Sequence, residues 1–241
     1  MSLYRDHAVV LRTWKLGEAD RIVSLHTHEH GKVRGVAKGV RRTRSKFGAR
    51  LEPLSHVSIQ LYRGRGELDT ITQVETVDRF ATLRSDPDRF ARAQAILEAV
   101  DQVAQDRESD PELHVMLVRA LRTLDTNDSA LVVAAFFLKL LAHEGLTPQL
   151  DECVSCGAED DLEAFDLDDG GARCRRCRRG RAISQEALVL LRRILGGGLA
   201  GVLAEPADSA AVEVDLLATA SLEHHLERRL RSVAVLDQGG R

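Results

Sequence analysis

The stretch VSIQLY, residues 57–62, decides how the first third of this chain folds. Val57, Ile59 and Leu61 alternate with Ser58, Gln60 and Tyr62, the period of two expected of a strand that buries one face and wets the other. Working outward, similar β-type runs stand at residues 8–14, 21–26, 32–37 and 68–77, each bounded by glycine or charged turn residues. Five short strands in so little chain predict a small barrel. The OB-fold is the five-stranded barrel that commonly binds oligonucleotides, and the pattern alone does not separate it from an SH3-like barrel.

After Ser85-Asp86-Pro87 the period becomes helical. Phe90, Ala93, Ile96, Leu97, Val100 and Val103 share one stripe, and Leu113, Met116, Leu117, Ala120, Leu121 and Leu124 share a second. Asn127 or Asp128 is placed to cap the next helix, whose opening ALVVAAFFL (130–138) is apolar nearly all round and predicts a helix at the centre of a bundle. Gly145 and Pro148 end it. Ser184 caps a further helix with Ala187, Leu190, Leu191, Ile194 and Leu195 inward, stopped by the glycines at 196–198. A last helix over residues 211–231 places Leu216, Leu217, Ala220, Leu226 and Leu230 inward, and the tail at 238–241 is expected to fray. The fold class is α+β and multidomain: a barrel over residues 1–80, a helical domain over 81–150 and 182–241, and a cysteine module over 151–181.

Cys153, Cys156, Cys174 and Cys177 follow the pattern C-x2-C-x17-C-x2-C. Each C-x-x-C turn offers two thiolates, and two such turns complete a tetrahedron around Zn2+. A pair of redox motifs would need a βαβ setting, which is absent. With no open coordination position, one structural zinc is expected, contributing to folding rather than catalysis. No cysteine is left for disulfides, as in a reducing compartment. Acids at 159–169 lie between the pairs, whereas Arg173, Arg175, Arg176, Arg178, Arg179 and Arg181 flank the second pair. Either these charges neutralise one another within the finger, or the arginines extend a cationic surface toward DNA or an acidic partner.

Charge is spread unevenly along the chain. The net is −3, yet residues 1–80 hold 15 Lys and Arg against 9 Asp and Glu (+6), leaving 19 against 28 (−9) for the rest. The run GKVRGVAKGVRRTRSKFGAR, residues 31–50, carries eight cations (Lys32, Arg34, Lys38, Arg41, Arg42, Arg44, Lys46, Arg50) and no acid. Such a block persists where it lies in water or meets a polyanion. Gly31, Gly35, Gly39 and Gly48 let its backbone turn or approach a ligand, and arginine suits bidentate phosphate contacts. A phosphate-binding surface is therefore expected. Its binding should be salt-sensitive and poorly sequence-selective, because few aromatics (Tyr4, Trp14, Phe47, Tyr62) are at hand to stack on bases. His26, His28 and His30 share a face if extended, but no acid or cysteine is placed to complete a metal site, and they read as a wet strand end.

No G-x-x-x-x-G-K-[ST] loop, G-x-S-x-G elbow or H-E-x-x-H is present, so a binding protein is expected rather than an enzyme. Asp6 and the lack of a cleavage-type site speak against a signal peptide. The longest apolar run, 130–138, stops at Lys139, far below the ~18 residues of a membrane span. A cytoplasmic chain with no membrane partner is the expectation.

VVLRTWKLGEADRIVSLHTHEHGKVRGVAKGVRRTRSKFGARLEPL, LYRGRGELDTITQVE, HEGLTPQLDECVSCG and the closing LERRLRSVAVL, in that order, resemble the RecO family of DNA repair proteins. GEADRIV, the T-x-E-H-G turn and the A-K-G-V-R-R run carry the likeness. The resemblance implies an N-terminal OB-fold, a helical domain and an inserted zinc finger. It also implies binding of single- and double-stranded DNA, annealing without ATP, loading of recombinase, and partnership with RecR and with the acidic C-terminal tail of single-strand DNA-binding protein. Some members lack the cysteines; this sequence keeps all four. Carried over, DNA contact falls to Lys38, Arg41, Arg42, Arg44 and Lys46, with Arg34, Arg50, Arg63 and Arg65 as outer members. The tail would take an apolar cleft on the helical domain, with Arg119, Arg122 and Lys139 as rim candidates. The competing expectation is a zinc-containing adaptor that bridges proteins and touches nucleic acid only incidentally.

Overall fold

A computed structural model describes residues 2–43, 45 and 47–233 of the chain. Strands β1 (Leu3–Leu16), β2 (Asp20–Thr27), β3 (Gly31–Ala37), β4 (His56–Tyr62) and β5 (Leu68–Asp78) close a barrel in the order β1-β2-β3-β5-β4, with β4 returning to β1. Every pairing is antiparallel except β3 with β5, so the barrel is OB-like. The alternation read in the sequence is what closes it. Val57, Ile59 and Leu61 meet Val23, Leu25, Val33 and Ile71 in one buried cluster, each contributing roughly 1.5–3 kcal/mol on burial.

The connection from β3 to β4 holds a short 3-10 turn, Gly48–Leu51, that delivers Phe47 and Leu51 to the same core. Gly35 is small for packing rather than for a ligand, since a Cβ there would come within 2.8 Å of Ile71 Cγ1. The register of β1 against β2 slips by one residue between Val10 and Arg12. This bulge keeps Val10 inside and brings Arg12 and Trp14 to the outer face.

Helices α1 (Ala81–Ser85), α2 (Pro87–Val103) and α3 (Pro111–Thr126) follow. Asp86 caps α2 by accepting the N–H groups of Asp88 and Arg89, with Pro87 at the first position where no donor is needed. Ala93, Ile96, Leu97 and Val100 are buried as the stripe predicts, but Phe90 at its head is exposed. By packing, the chain divides into two compact units: Met1–Thr126 with the end of the chain from Arg231, and Asn127–Leu230. The packing division thus falls after α3, whereas the sequence pattern divides at residue 80.

The second unit holds α4 (Leu131–His143), β6 (Leu162–Asp166), β7 (Gly171–Cys174), β8 (Arg181–Ala182), α5 (Gln185–Leu195), α6 (Leu199–Ala204) and α7 (Ser209–His225). α4 is buried nearly all round, as its composition predicts. Its start differs from expectation: Ala130 takes the cap position, and the Leu131 N–H is met by Ser129 Oγ at 3.4 Å. Ser184 caps α5 through the Ala187 N–H, and Gly196 ends it. α7 stops at His225, short of residue 231, and its Leu216 faces outward at 56% exposure, contrary to the predicted stripe. The cysteine module contains a small antiparallel sheet, β7-β6-β8, that no run in the sequence announced. The tail at 238–241 lies outside the described residues. Among the described residues no helix is long and apolar enough to cross a membrane.

Candidate nucleic-acid interface and metal centre

The four cysteines are assembled by their own small sheet. β7 ends on Cys174, and the 3-10 turn Arg175–Cys177 delivers the fourth thiol. The first knuckle closes through Gly157 (φ +71°), whose N–H meets the Cys153 carbonyl at 2.8 Å. All four Sγ atoms lie within 4.8 Å of one another, and those of Cys156 and Cys174 are 3.7 Å apart. Thiolates ~2.3 Å from a shared tetrahedral ion would stand about 3.8 Å from each other, so the donor set fits one such metal. Burial opposes ionisation of Cys153, but the N–H groups of Cys174, Ser155 and Cys156 outweigh it and bring the thiol down to about 6.

Three of the six arginines of this module meet its own acids. Arg173 is held by Asp166 at 2.8 Å and by Asp169; Arg179 reaches Asp166 at 3.5 Å and Asp168 at 2.5 Å; Arg178 stands 3.7 Å from Glu163. Burial of Asp166 favours its neutral form, yet the Asp168 N–H, Arg179 and Arg173 keep its carboxyl below the usual range. Arg175 and Arg176 remain exposed, and Arg181 donates to the Leu216 carbonyl.

On the barrel, Lys38, Arg41 and Arg42 are exposed on the turn after β3. That turn is tied to the β1–β2 turn. The Arg41 guanidinium donates to the carbonyls of Gly17 and Glu18 at 3.2 and 2.9 Å, and the Gly39 N–H donates to Asp20 at 2.7 Å. Arg63 and Arg65 are exposed in the β4–β5 loop. Buried Asp69 anchors this loop by accepting the Gly64 N–H at 3.2 Å, the Tyr4 hydroxyl at 2.5 Å and Arg107 at 3.0 Å. Burial works against the Asp69 charge, but Arg107 and Tyr4 hold it below the usual carboxylate range, while burial and Asp69 push the Tyr4 phenol up. Arg34, on the outer face of β3, meets Asp106 at 3.1 Å, and half-buried Arg50 turns toward the Phe47 carbonyl at 3.5 Å. Arg44 and Lys46 lie outside the described residues.

The family model described as Recombination protein O N terminal matches residues 1–80, and that described as Recombination protein O C terminal matches residues 84–234. The chain belongs to the RecO family. Membership places it in DNA repair and recombination, and its OB-like barrel coincides with the first matched segment.

In this RecO family member the histidines do not form a wet strand end. His26 and His56 flank Val9 in register on the outer face of β2 and β4, and His114 of α3 covers them with ring centroids 5.8 Å from each. All three rings are more than nine-tenths buried. His28 meets His114 edge-on, whereas His30 leaves the row and pairs with Asp6 at 2.7 Å, the acidic partner that sequence reasoning missed. Burial pushes His26 and His56 down to about 4 and His114 to about 3, so they pack as neutral groups. Among the described residues, only the cysteines form a set of three or more such donors close enough to share one ion. Of the four aromatics, Phe47 belongs to the barrel core and Tyr4 to the Asp69 network, but Trp14 lines an open groove.

Proposed function

We propose that the chain is a DNA-binding recombination mediator: it binds single- and double-stranded DNA on its barrel, anneals complementary strands without ATP, and helps load recombinase onto single strands coated by single-strand DNA-binding protein. The observation that carries this reading is the exposure of Lys38, Arg41 and Arg42 beside the β1–β2 turn and of Arg63 and Arg65 in the β4–β5 loop. Those are the two connections with which OB barrels grip oligonucleotides. Arg34, Arg44, Lys46 and Arg50 complete the proposed set. Its chemistry is neutralisation: two complementary strands repel through their phosphates, and a cationic surface that shields one strand lets the other approach and pair. One structural Zn2+ on Cys153, Cys156, Cys174 and Cys177 would hold the finger together.

RecR and the acidic tail of single-strand DNA-binding protein are the proposed partners, met in the cytoplasm where the nucleoid is repaired. A cleft of about 340 Å3 on the helical unit has apolar walls, Leu141, Leu146 and Phe165, but Asp168 and Asp169 also line it, which disfavours an acidic tail there. Lys139 remains the rim candidate on that unit, while Arg119 and Arg122 belong to α3 of the other. Exposed Val189, Val212 and Leu216 on α5 and α7 favour, as a second reading, an adaptor that bridges proteins. Annealing of complementary oligonucleotides without ATP, followed across salt concentrations, separates the two. A mediator accelerates pairing and loses the effect steeply as salt rises; no acceleration in dilute buffer would leave the adaptor.

A further inference from the structure

A groove of about 660 Å3 opens beside the outer face of the barrel, lined among others by Trp14, Ile22, Lys32, Arg34, Leu68 and Asp101. Its volume lies within the ~300–1,000 Å3 typical of sites that hold small molecules. Strand register builds it. Trp14 pairs with Ile22 and Ile22 with Val36, forming one apolar row across β1, β2 and β3. In the adjacent row Arg34 pairs with Ser24 and with Leu68, setting a cation beside the apolar floor. The bulge after Val10 is what turns the indole outward, and the Arg12 guanidinium lies 5.0 Å from its centroid. From α2, Asp101 takes the Ser24 hydroxyl at 3.0 Å and through its carbonyl the Lys32 ammonium at 2.8 Å.

The cations here already hold an anion. Asp106, in the connection between α2 and α3, stands 3.1 Å from Arg34 and 3.7 Å from Lys32, and its carboxylate is 53% exposed. The Arg34–Asp106 pair, 40% and 53% exposed, is open enough to water to contribute little, so another anion can exchange with it, while Lys32, 12% exposed, backs the pair from within. An aromatic platform, apolar walls and a pair of cations held by a replaceable carboxylate together match a nucleotide with its base uncovered.

We propose, resting on the DNA-binding reading above, that this groove is a nucleobase site: an unpaired base stacks on Trp14 while its phosphate displaces Asp106 from Arg34 and Lys32. Bases within a duplex have both faces covered by their neighbours and offer nothing to the indole. The loop arginines take phosphate from either form of DNA, whereas the groove accepts only the single strand.

Trp14 is the only tryptophan of the chain, so its emission reports on the groove directly. Titration of the full chain in dilute salt with dye-labelled oligo(dT), reading dye anisotropy and Trp14 emission together, is expected to quench the emission along the binding curve. An abasic strand of the same length and a blunt-ended duplex are expected to bind without quenching. Trp14→Ala should weaken oligo(dT) binding about tenfold or more and duplex binding by less than about twofold, and Asp106→Asn should strengthen oligo(dT) binding. Rising anisotropy with unchanged emission, or equal quenching by the abasic strand, overturns the groove and leaves DNA binding standing. Flat anisotropy for every strand overturns DNA binding itself. The quenching is read on the unmodified chain, so the outcome does not depend on whether Trp14→Ala folds.

Discussion

His114 rests on two barrel strands with its Nδ1 lacking a hydrogen-bond partner among the described residues, beside His26 and His56, whose ring nitrogens are likewise unmatched. Such an arrangement tolerates the rings only while they are neutral. In the unfolded chain a histidine takes its proton near 6.5, but in the folded chain His26 and His56 wait until about 4 and His114 until about 3. Between these values the unfolded state holds more protons, so stability falls as pH drops from 6.5, by up to about 1.4 kcal/mol per pH unit for each ring. Asp6 and Asp69, held below the usual carboxylate range, keep their charge over the upper part of that window, and their contribution is lost only at lower pH. The urea midpoint should therefore decline from pH 7 to pH 5, and His114→Leu should remove about a third of that decline. A midpoint that does not move with pH would show that the rings are not buried neutral. His26 and His28 were legible as sharing a face. What covers that face was not, because His56 and His114 reach it only through the β1–β4 register and the placement of α3.

At the scale of elements, the cysteine module is the part with least apolar material to hold it. Its sheet buries Leu162, Ala164, Phe165 and Ala172, and the sulfur cluster joins β7 to the knuckle before β6. A structural metal in such a module supplies folding energy outright. Elemental analysis should find one zinc per chain, and Cys174→Ser should abolish it and open the segment around residues 153–181 to protease. Metal content unchanged in Cys174→Ser would refute the four-thiolate centre. The cysteine spacing announced the centre, and the alternation of Val57, Ile59 and Leu61 announced the barrel, since both are local patterns. The bulge that turns Trp14 outward and the short strands β6, β7 and β8 were not legible. A one-residue slip leaves the alternation on either side intact, and a four-residue strand such as GARC is too short to show a period. The pairing of Arg34 with Asp106 joins residues 72 positions apart, beyond any window of the sequence.

At the scale of the molecule, charge is divided rather than absent. Residues 1–80 carry +6 and the remainder −9, so the whole chain, at −3, offers a polyanion no net attraction from afar. Attraction has to be local, within a Debye length of ~10 Å at 0.1 M salt, where the barrel's cations act and more distant acids are screened. Each phosphate neutralised on a single strand adds about −0.7 to the slope of log K against log salt. Removing Lys38, Arg41 and Arg42 together, which are exposed on the barrel, should make that slope shallower by about 2 and weaken binding in dilute buffer. Arg41 also ties its turn to the β1–β2 turn, so an Arg41→Lys control with Lys38 and Arg42 intact separates loss of charge from loss of that tether. Lowering salt toward 10 mM stretches screening to ~30 Å, and the acids of the remaining chain then begin to repel the same strand. The log–log plot of the unmodified chain should therefore flatten at its dilute end. A slope identical in the triple variant, measured by dye anisotropy with oligo(dT), would mean that the strand lies elsewhere than on these cations.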